Sequence, residues 1–273
     1  MDVHSYTLLP ILRATSISMK RALFYFAGMA TIACAVSLFS CKKHNDAVPK
    51  PCRIVAEYDT VYGATITGES TMRTYSYQFN YDYQGRIIHQ SQLPPTDTFS
   101  RIWTYGPDYT YVTPEYYPGS ADTIFLDDSN RVAKVVSVES NNDITYTLYT
   151  YDAAGEVLTR TQKTNTSAGQ QYITNYVWSD GDMASSKDNS GNFTTYSYYT
   201  DKLATVGDPY RFRETTTYGV PIVRNKHLIK STLSAGGVIN FNYTFDNSGR
   251  IATVSKAIGA FFEKTAYVYD CSQ

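Results

Sequence analysis

The chain has 273 residues, with 24 Lys+Arg, 25 Asp+Glu and 26 tyrosines. So even a charge balance excludes the basic footprint of a nucleic-acid binder. Abundant Tyr, Ser, Thr and Asn with sparse Leu exclude a helix bundle and a disordered chain. They favour sheet with one packed face, because a Tyr ring packs on a pleated surface while its hydroxyl stays wet.

The first element is an export signal. A basic pair after Met19, Lys20-Arg21, precedes an apolar run from Ala22 to Phe39, and Ser40-Cys41 closes it. Residues 1–18 read as an upstream extension. The run is just long enough to be an uncleaved membrane helix, but its stop at Ser-Cys favours cleavage. Leu38-Phe39-Ser40-Cys41 resembles the lipobox of bacterial lipoproteins, with Phe39 where a smaller residue is usual. That resemblance implies cleavage before Cys41 and a diacylglycerol on its thiol. Removing Arg13, Lys20, Arg21 and Asp2 with the leader leaves 21 basic and 24 acidic groups. The organisation expected is a signal peptide with its extension over 1–40, a polar tether over 41–51, and one β domain over 52–273.

The domain is built on a repeat. Phe79-Asn-Tyr81-Asp82-Tyr-Gln-Gly85-Arg86-Ile87, Tyr149-Thr-Tyr151-Asp152-Ala-Ala-Gly155-Glu156-Val157 and Tyr243-Thr-Phe245-Asp246-Asn-Ser-Gly249-Arg250-Ile251 share one template. Ile124-Phe-Leu126-Asp127-Asp-Ser-Asn130-Arg131-Val132 puts Asn in the Gly slot. Shortened copies lie at Tyr176–Gly181 and Tyr196–Leu203, and the chain closes on Tyr267-Val-Tyr269-Asp270. Alternate aromatics face one side of a strand. Asp opens a turn by accepting from amides ahead of it, and Gly takes the left-handed position that closes it. Each copy is therefore a β-hairpin with one buried and one wet face. Copies recur at roughly 20–27 residues, with two gaps near twice that. Degenerate hairpins are expected in the gaps, over Phe99–Val112 and Arg211–Leu233. The prediction is about 14–18 antiparallel strands and almost no helix beyond the signal helix.

These segments resemble the YD repeats of RHS-type proteins. They are closer to exported lipoproteins whose domain of unknown function is described as porin-like. The stretch from Tyr218-Gly to Ser231 and the Tyr-Val-Tyr-Asp-Cys ending look like that group too. The resemblance implies an exported, all-β antiparallel meander of YD hairpins, curled into an open or barrel-like sheet. It implies no reaction. A membrane-spanning barrel would show the same alternation. The lipobox, a packed face made of Tyr and a Cys-Ser-Gln terminus speak against it.

Few residues carry candidate chemistry. Cys52 and Cys271 stand at the two ends of the domain, where an oxidising compartment would let them pair. Such a bond would tie the first strand to the last, with a nominal stabilisation of about 4–5 kcal/mol. Two free thiols are the alternative. His89 and His227 read as a strand-surface residue and a loop or strand-end residue, so no His-dependent nucleophile or metal site is expected. The Asp127 and Asp188 turns offer oxygen ligands for calcium, but turn formation accounts for both. Glu57, Glu69, Glu115, Glu139, Glu156, Glu214 and Glu263 are too scattered to assign a glycosidase pair. Asp59-Thr60-Val61 and Asp122-Thr123-Ile124 match a short O-glycosylation motif of some bacteria.

A dense aromatic cluster comprises Trp103, Tyr105, Tyr109, Tyr111, Tyr116 and Tyr117. It is either a ligand platform, suited to sugar rings, or packing on the concave face. The reading is a non-catalytic, lipid-anchored, monomeric envelope protein of the outer membrane, acting as a binding or scaffold module without cofactor or metal. Its partners would be the membrane through Cys41 and a glycan or envelope protein. A glycan-binding module on the aromatic cluster and a carboxylate-dependent hydrolase are the rival readings.

Overall fold

A computed structural model of the chain describes residues 52–64, 70–93, 99–115, 119–166, 170–259 and 261–272. The signal peptide, Cys41, the tether, Tyr116 and Tyr117 lie outside the described residues.

The strands run β1 (Arg53–Ala64), β2 (Ser70–Tyr81), β3 (Ile87–Gln92), β4 (Arg101–Tyr105), β5 (Tyr109–Pro114), β6 (Ala121–Leu126), β7 (Val132–Val138) and β8 (Ile144–Tyr151). They continue as β9 (Val157–Thr164), β10 (Gln171–Ser179), β11 (Asp182–Asp188), β12 (Phe193–Leu203), β13 (His227–Ser234), β14 (Gly237–Phe245), β15 (Ile251–Ile258) and β16 (Phe261–Asp270). Each pairs antiparallel with its chain neighbours, and β16 returns to β1 in a register from Arg53↔Asp270 to Tyr62↔Phe262. The sheet is thus a closed sixteen-stranded barrel. Closure removes free edges.

The repeat explains the wall. In the turns after β2, β6 and β14, Asp Oδ1 accepts the amides two and four residues on, at 2.8–3.0 Å. Asp Oδ2 takes the Arg side chain at Nε, 2.6–2.8 Å. Gly85, Asn130, Gly155 and Gly249 hold the left-handed position, at φ 83°, 56°, 85° and 77°. All these turns share one rim, here the YD rim, with Cys52 and Cys271.

The template aromatic does more than pack. Tyr81, Tyr105, Tyr151, Tyr198, Tyr243 and Tyr269 donate their hydroxyls to the carbonyls of Ile54, Ile87, Val132, Met183, Ile229 and Ile251, at 2.5–2.9 Å. Trp178 Nε1 does the same to Val157 at 2.7 Å. Every accepting residue lies within the first three positions of the strand just before the donor's own, so each hairpin hooks its predecessor. Arg side chains stack over these rings, Arg86 on Tyr105 at 4.2 Å and Arg131 on Tyr151 at 4.6 Å. At the eighth position stands Leu126. The matching carbonyl there, Tyr109, already accepts from Gly106 at 2.9 Å.

Alternation sends Phe79, Trp103, Ile124, Tyr149, Met183, Phe241 and Tyr267 into the lumen, where all are buried. The outward face is mixed. Exposed Leu148, Leu158, Val177 and Val268 stand among exposed Asn175, Asn242 and Lys264, which lie near mid-strand.

A sixteen-strand barrel is wider than wall side chains alone can fill. Part of the filling is a helix, α1 (Pro209–Tyr218), in the β12–β13 connection. This corrects the expected hairpin over Arg211–Leu233, of which only β13 forms. Arg-Glu-Thr-Thr-Thr-Tyr is a poor intrinsic helix, and the signals that set it are at its ends. Asp208 caps the N-terminus, its Oδ1 accepting from the Arg211 amide at 2.9 Å. Pro209 starts the first turn, and Gly219 closes the last at φ 80°. Thr215 and Thr217 donate to carbonyls four residues back. Tertiary contacts do the rest. Phe212 packs edge-on against Phe79 at 5.3 Å and Tyr267 at 5.4 Å. Gly207 lies against Tyr269, and Gly219 against Tyr105 and Thr110. The helix therefore crosses the bore beneath the YD rim, from the β16 side to the β4–β5 side.

Candidate functional site

On the side of α1 away from the YD rim the lumen holds a cavity of about 570 Å³. It reaches Phe261, which begins β16 beside the turn on the opposite rim and is 39% exposed. Its wall is supplied by Tyr149, Arg160 and Tyr176 on β8–β10 and by Phe241, Lys256 and Glu263 on β14–β16. Its floor is α1, through Tyr210, Arg213, Glu214 and Tyr218. These side chains meet because each occupies an inward position of its strand, or because capping and Phe212 fix the helix that presents them.

The charges here are arranged in pairs and singles. Lys256 Nζ lies 2.6 Å from Glu263. Glu214 Oε2 accepts the Ile222 and Val223 amides at 2.7 Å each, folding the chain after α1 back on the helix. Burial pushes Glu214 up to about 7 against those two bonds. Beside Lys256 and Glu263, β1 turns Glu57 and Asp59 inward. Thr265 donates to Asp59 at 2.6 Å. Burial first, and the neighbouring Asp59 second, push Glu57 up to about 8. Burial likewise raises Asp59. The barrel thus collects Glu57, Asp59 and Glu263, carboxylates 206 residues apart in the chain at the extremes, a grouping that scattered positions in the sequence did not reveal.

The other singled-out residues fall as follows. The aromatic platform does not form one surface among the described residues. Trp103 and Tyr105 face the lumen, whereas Tyr109 and Tyr111 face outward, 38% and 40% exposed. Strand alternation splits them, because Trp103 lies opposite Val112 and Tyr105 opposite Thr110. Trp103 is 2% exposed, and its indole N–H has no hydrogen-bond partner among the described residues. Cys52 and Cys271 form a disulfide, with Cα atoms 4.2 Å apart. It lies across the β1–β16 seam. His89 meets Glu115 at 3.2 Å on the outer surface. His227 Nδ1 lies 2.6 Å from Asp182 and fastens the end of the β12–β13 connection to β11. Asp127 and Asp188 spend their oxygens on turn amides and on Arg131 and Asn192. Glu156, in an Arg slot, has its carboxyl raised by slight burial and by Asp152.

No protein-family model and no curated protein matches the chain. Solved structures do. A porin-like protein from Bacteroides uniformis superposes with a TM-score of 0.61 at 13% identity, covering 80% of this chain and 98% of that one. A porin-like protein from Bacteroides vulgatus gives 0.54 at 12% identity, covering 81% and 99%. The chain therefore has the porin-like β-barrel fold.

Proposed function

We propose that this is a non-catalytic, lipid-anchored envelope protein whose barrel is a cup for a small ligand. The observation that carries the reading is α1. A through-pore needs an open bore, and here a capped helix with its flanking loops crosses the bore under one rim, with a cavity on its far side. The cavity is of the size of ordinary small-molecule sites and mixes aromatic walls with a few charged groups. The interrupted outward face supports anchoring over spanning, since a lipid-facing barrel carries a continuous apolar band. The leader and Cys41 support export and lipidation. The porin-like fold agrees with an outer-membrane home.

Two measurements test this. Palmitate should label the wild type and spare Cys41→Ala; labelling of both defeats the anchor. A thermal-shift screen of sugars and small metabolites should yield stabilising compounds whose effect Ile239→Trp abolishes by filling the cavity. Compounds that act equally on that variant would refute the cup.

A second reading rests on Glu57, Asp59 and Glu263. A carboxyl held protonated near neutral pH beside further carboxyl groups is what a carboxylate-dependent hydrolase uses as its general acid. Turnover of any aryl glycoside that Glu57→Gln abolishes would support it. Turnover unaffected by Glu57→Gln and Glu263→Gln would remove it.

A further inference from the structure

Resting on the cup reading, we propose that the cavity takes an acidic sugar, its carboxylate held by Arg160 and Arg213 and its rings lying on the tyrosine walls. The cavity's charges decide the sign of the ligand. Of its five ionisable groups other than tyrosines, Lys256 and Glu263 cancel each other at 2.6 Å. Glu214 is committed to two backbone amides of its own loop. Arg160 and Arg213 remain. Arg160 Nη2 donates to the neutral Gln162 Oε1 at 2.8 Å. Neither guanidinium is in an ion pair among the described residues. They come from different elements, β9 and α1, and face one space. Two uncompensated guanidiniums in a concave site favour an anion, and their planar forks suit a carboxylate.

The walls decide the rest of the ligand. A bare inorganic anion would need no aromatic faces. Tyr149, Tyr176 and Tyr210 supply flat rings whose hydroxyls can exchange hydrogen bonds with a polyol. A cavity of about 570 Å³ accommodates one or two sugar rings.

The probe pair is α1,4-linked digalacturonate and neutral galactobiose, titrated calorimetrically into the exported domain with its disulfide intact. Digalacturonate should bind about tenfold or more tighter than galactobiose. Its affinity should fall as salt is raised. Arg160→Gln and Arg213→Gln should each weaken it about tenfold and so narrow its lead over galactobiose. Unaltered thermal midpoints show that both variants fold. Equal affinity for the two sugars, or digalacturonate binding indifferent to both arginines, overturns the proposal. So does binding of neither sugar. If other compounds still act through the cavity blocked by Ile239→Trp, the cup reading survives that failure; if none does, both fall.

Discussion

Tyr151→Phe isolates one hook of the barrel wall. The variant keeps the ring beneath Arg131, 4.6 Å away, and removes only the hydroxyl that donates to Val132 at 2.8 Å. The residue accepting that bond is fully buried, so the lost partner is not simply replaced by bulk water. A bond of this kind contributes about 1–1.5 kcal/mol. With a urea slope of about 3 kcal/mol/M, the midpoint should fall by about 0.3–0.5 M. Tyr151→Leu, which copies the natural state at Leu126, also loses the ring and its stacked cation, and should cost about 3 kcal/mol, or about 1 M. Tyr83→Phe is the control, since Tyr83 is 91% exposed in the turn. Urea titrations followed by near-ultraviolet circular dichroism give all three midpoints. If Tyr151→Phe unfolds with Tyr83→Phe, the hydroxyl is ornamental and the hook adds nothing to stability.

Other outcomes follow from neighbouring features. Cys52→Ser/Cys271→Ser releases a loop closed over 219 residues and should lower stability by up to about 5 kcal/mol; alkylation of unreduced native protein should label neither cysteine. Glu57 sits at about 8 in the folded chain against 4.5 when free. Native protein therefore holds a proton that the unfolded chain releases between those values. Its contribution is complete below pH 4.5 and is lost as pH rises through 8. Glu57→Gln should flatten the decline in urea midpoint from pH 5 to 9, and parallel wild-type and variant profiles would contradict this. Phe212→Ala should cost about 3–4 kcal/mol and speed amide exchange over 209–218, with far-ultraviolet dichroism of the barrel intact.

Local rules made the wall legible. Asp, Gly and Arg at fixed offsets specify each hairpin through contacts within five residues, so the turns after β2, β6, β8 and β14 could be read directly, as could the β4–β5 hairpin in the first gap. Closure was not legible, because the β1–β16 register depends on residues 217 positions apart. Nor was α1, whose Tyr- and Thr-rich sequence resembles the strands around it. Its available signal was the Asp208-Pro209 start with Gly219 at the end. The site escaped for both reasons at once. Arg160, Arg213 and Lys256 meet only when a closed wall surrounds a helix that propensity disfavours. The Trp103 cluster misled in the other direction, since nearness in sequence places successive strand residues on opposite faces.

The hooks have a consequence for how such proteins diversify. Except at Leu126, each even-numbered strand is hooked to the strand just before it. A duplicated hairpin would bring its own hydroxyl, its own carboxylate and its own arginine, and would leave every other fastening as it was. The girth of the vessel is then a matter of copy number, set by unequal recombination between repeats, and a lineage could widen or narrow its mouth without reinventing the wall. The inserted helix has no such freedom, because it is cut to span one bore.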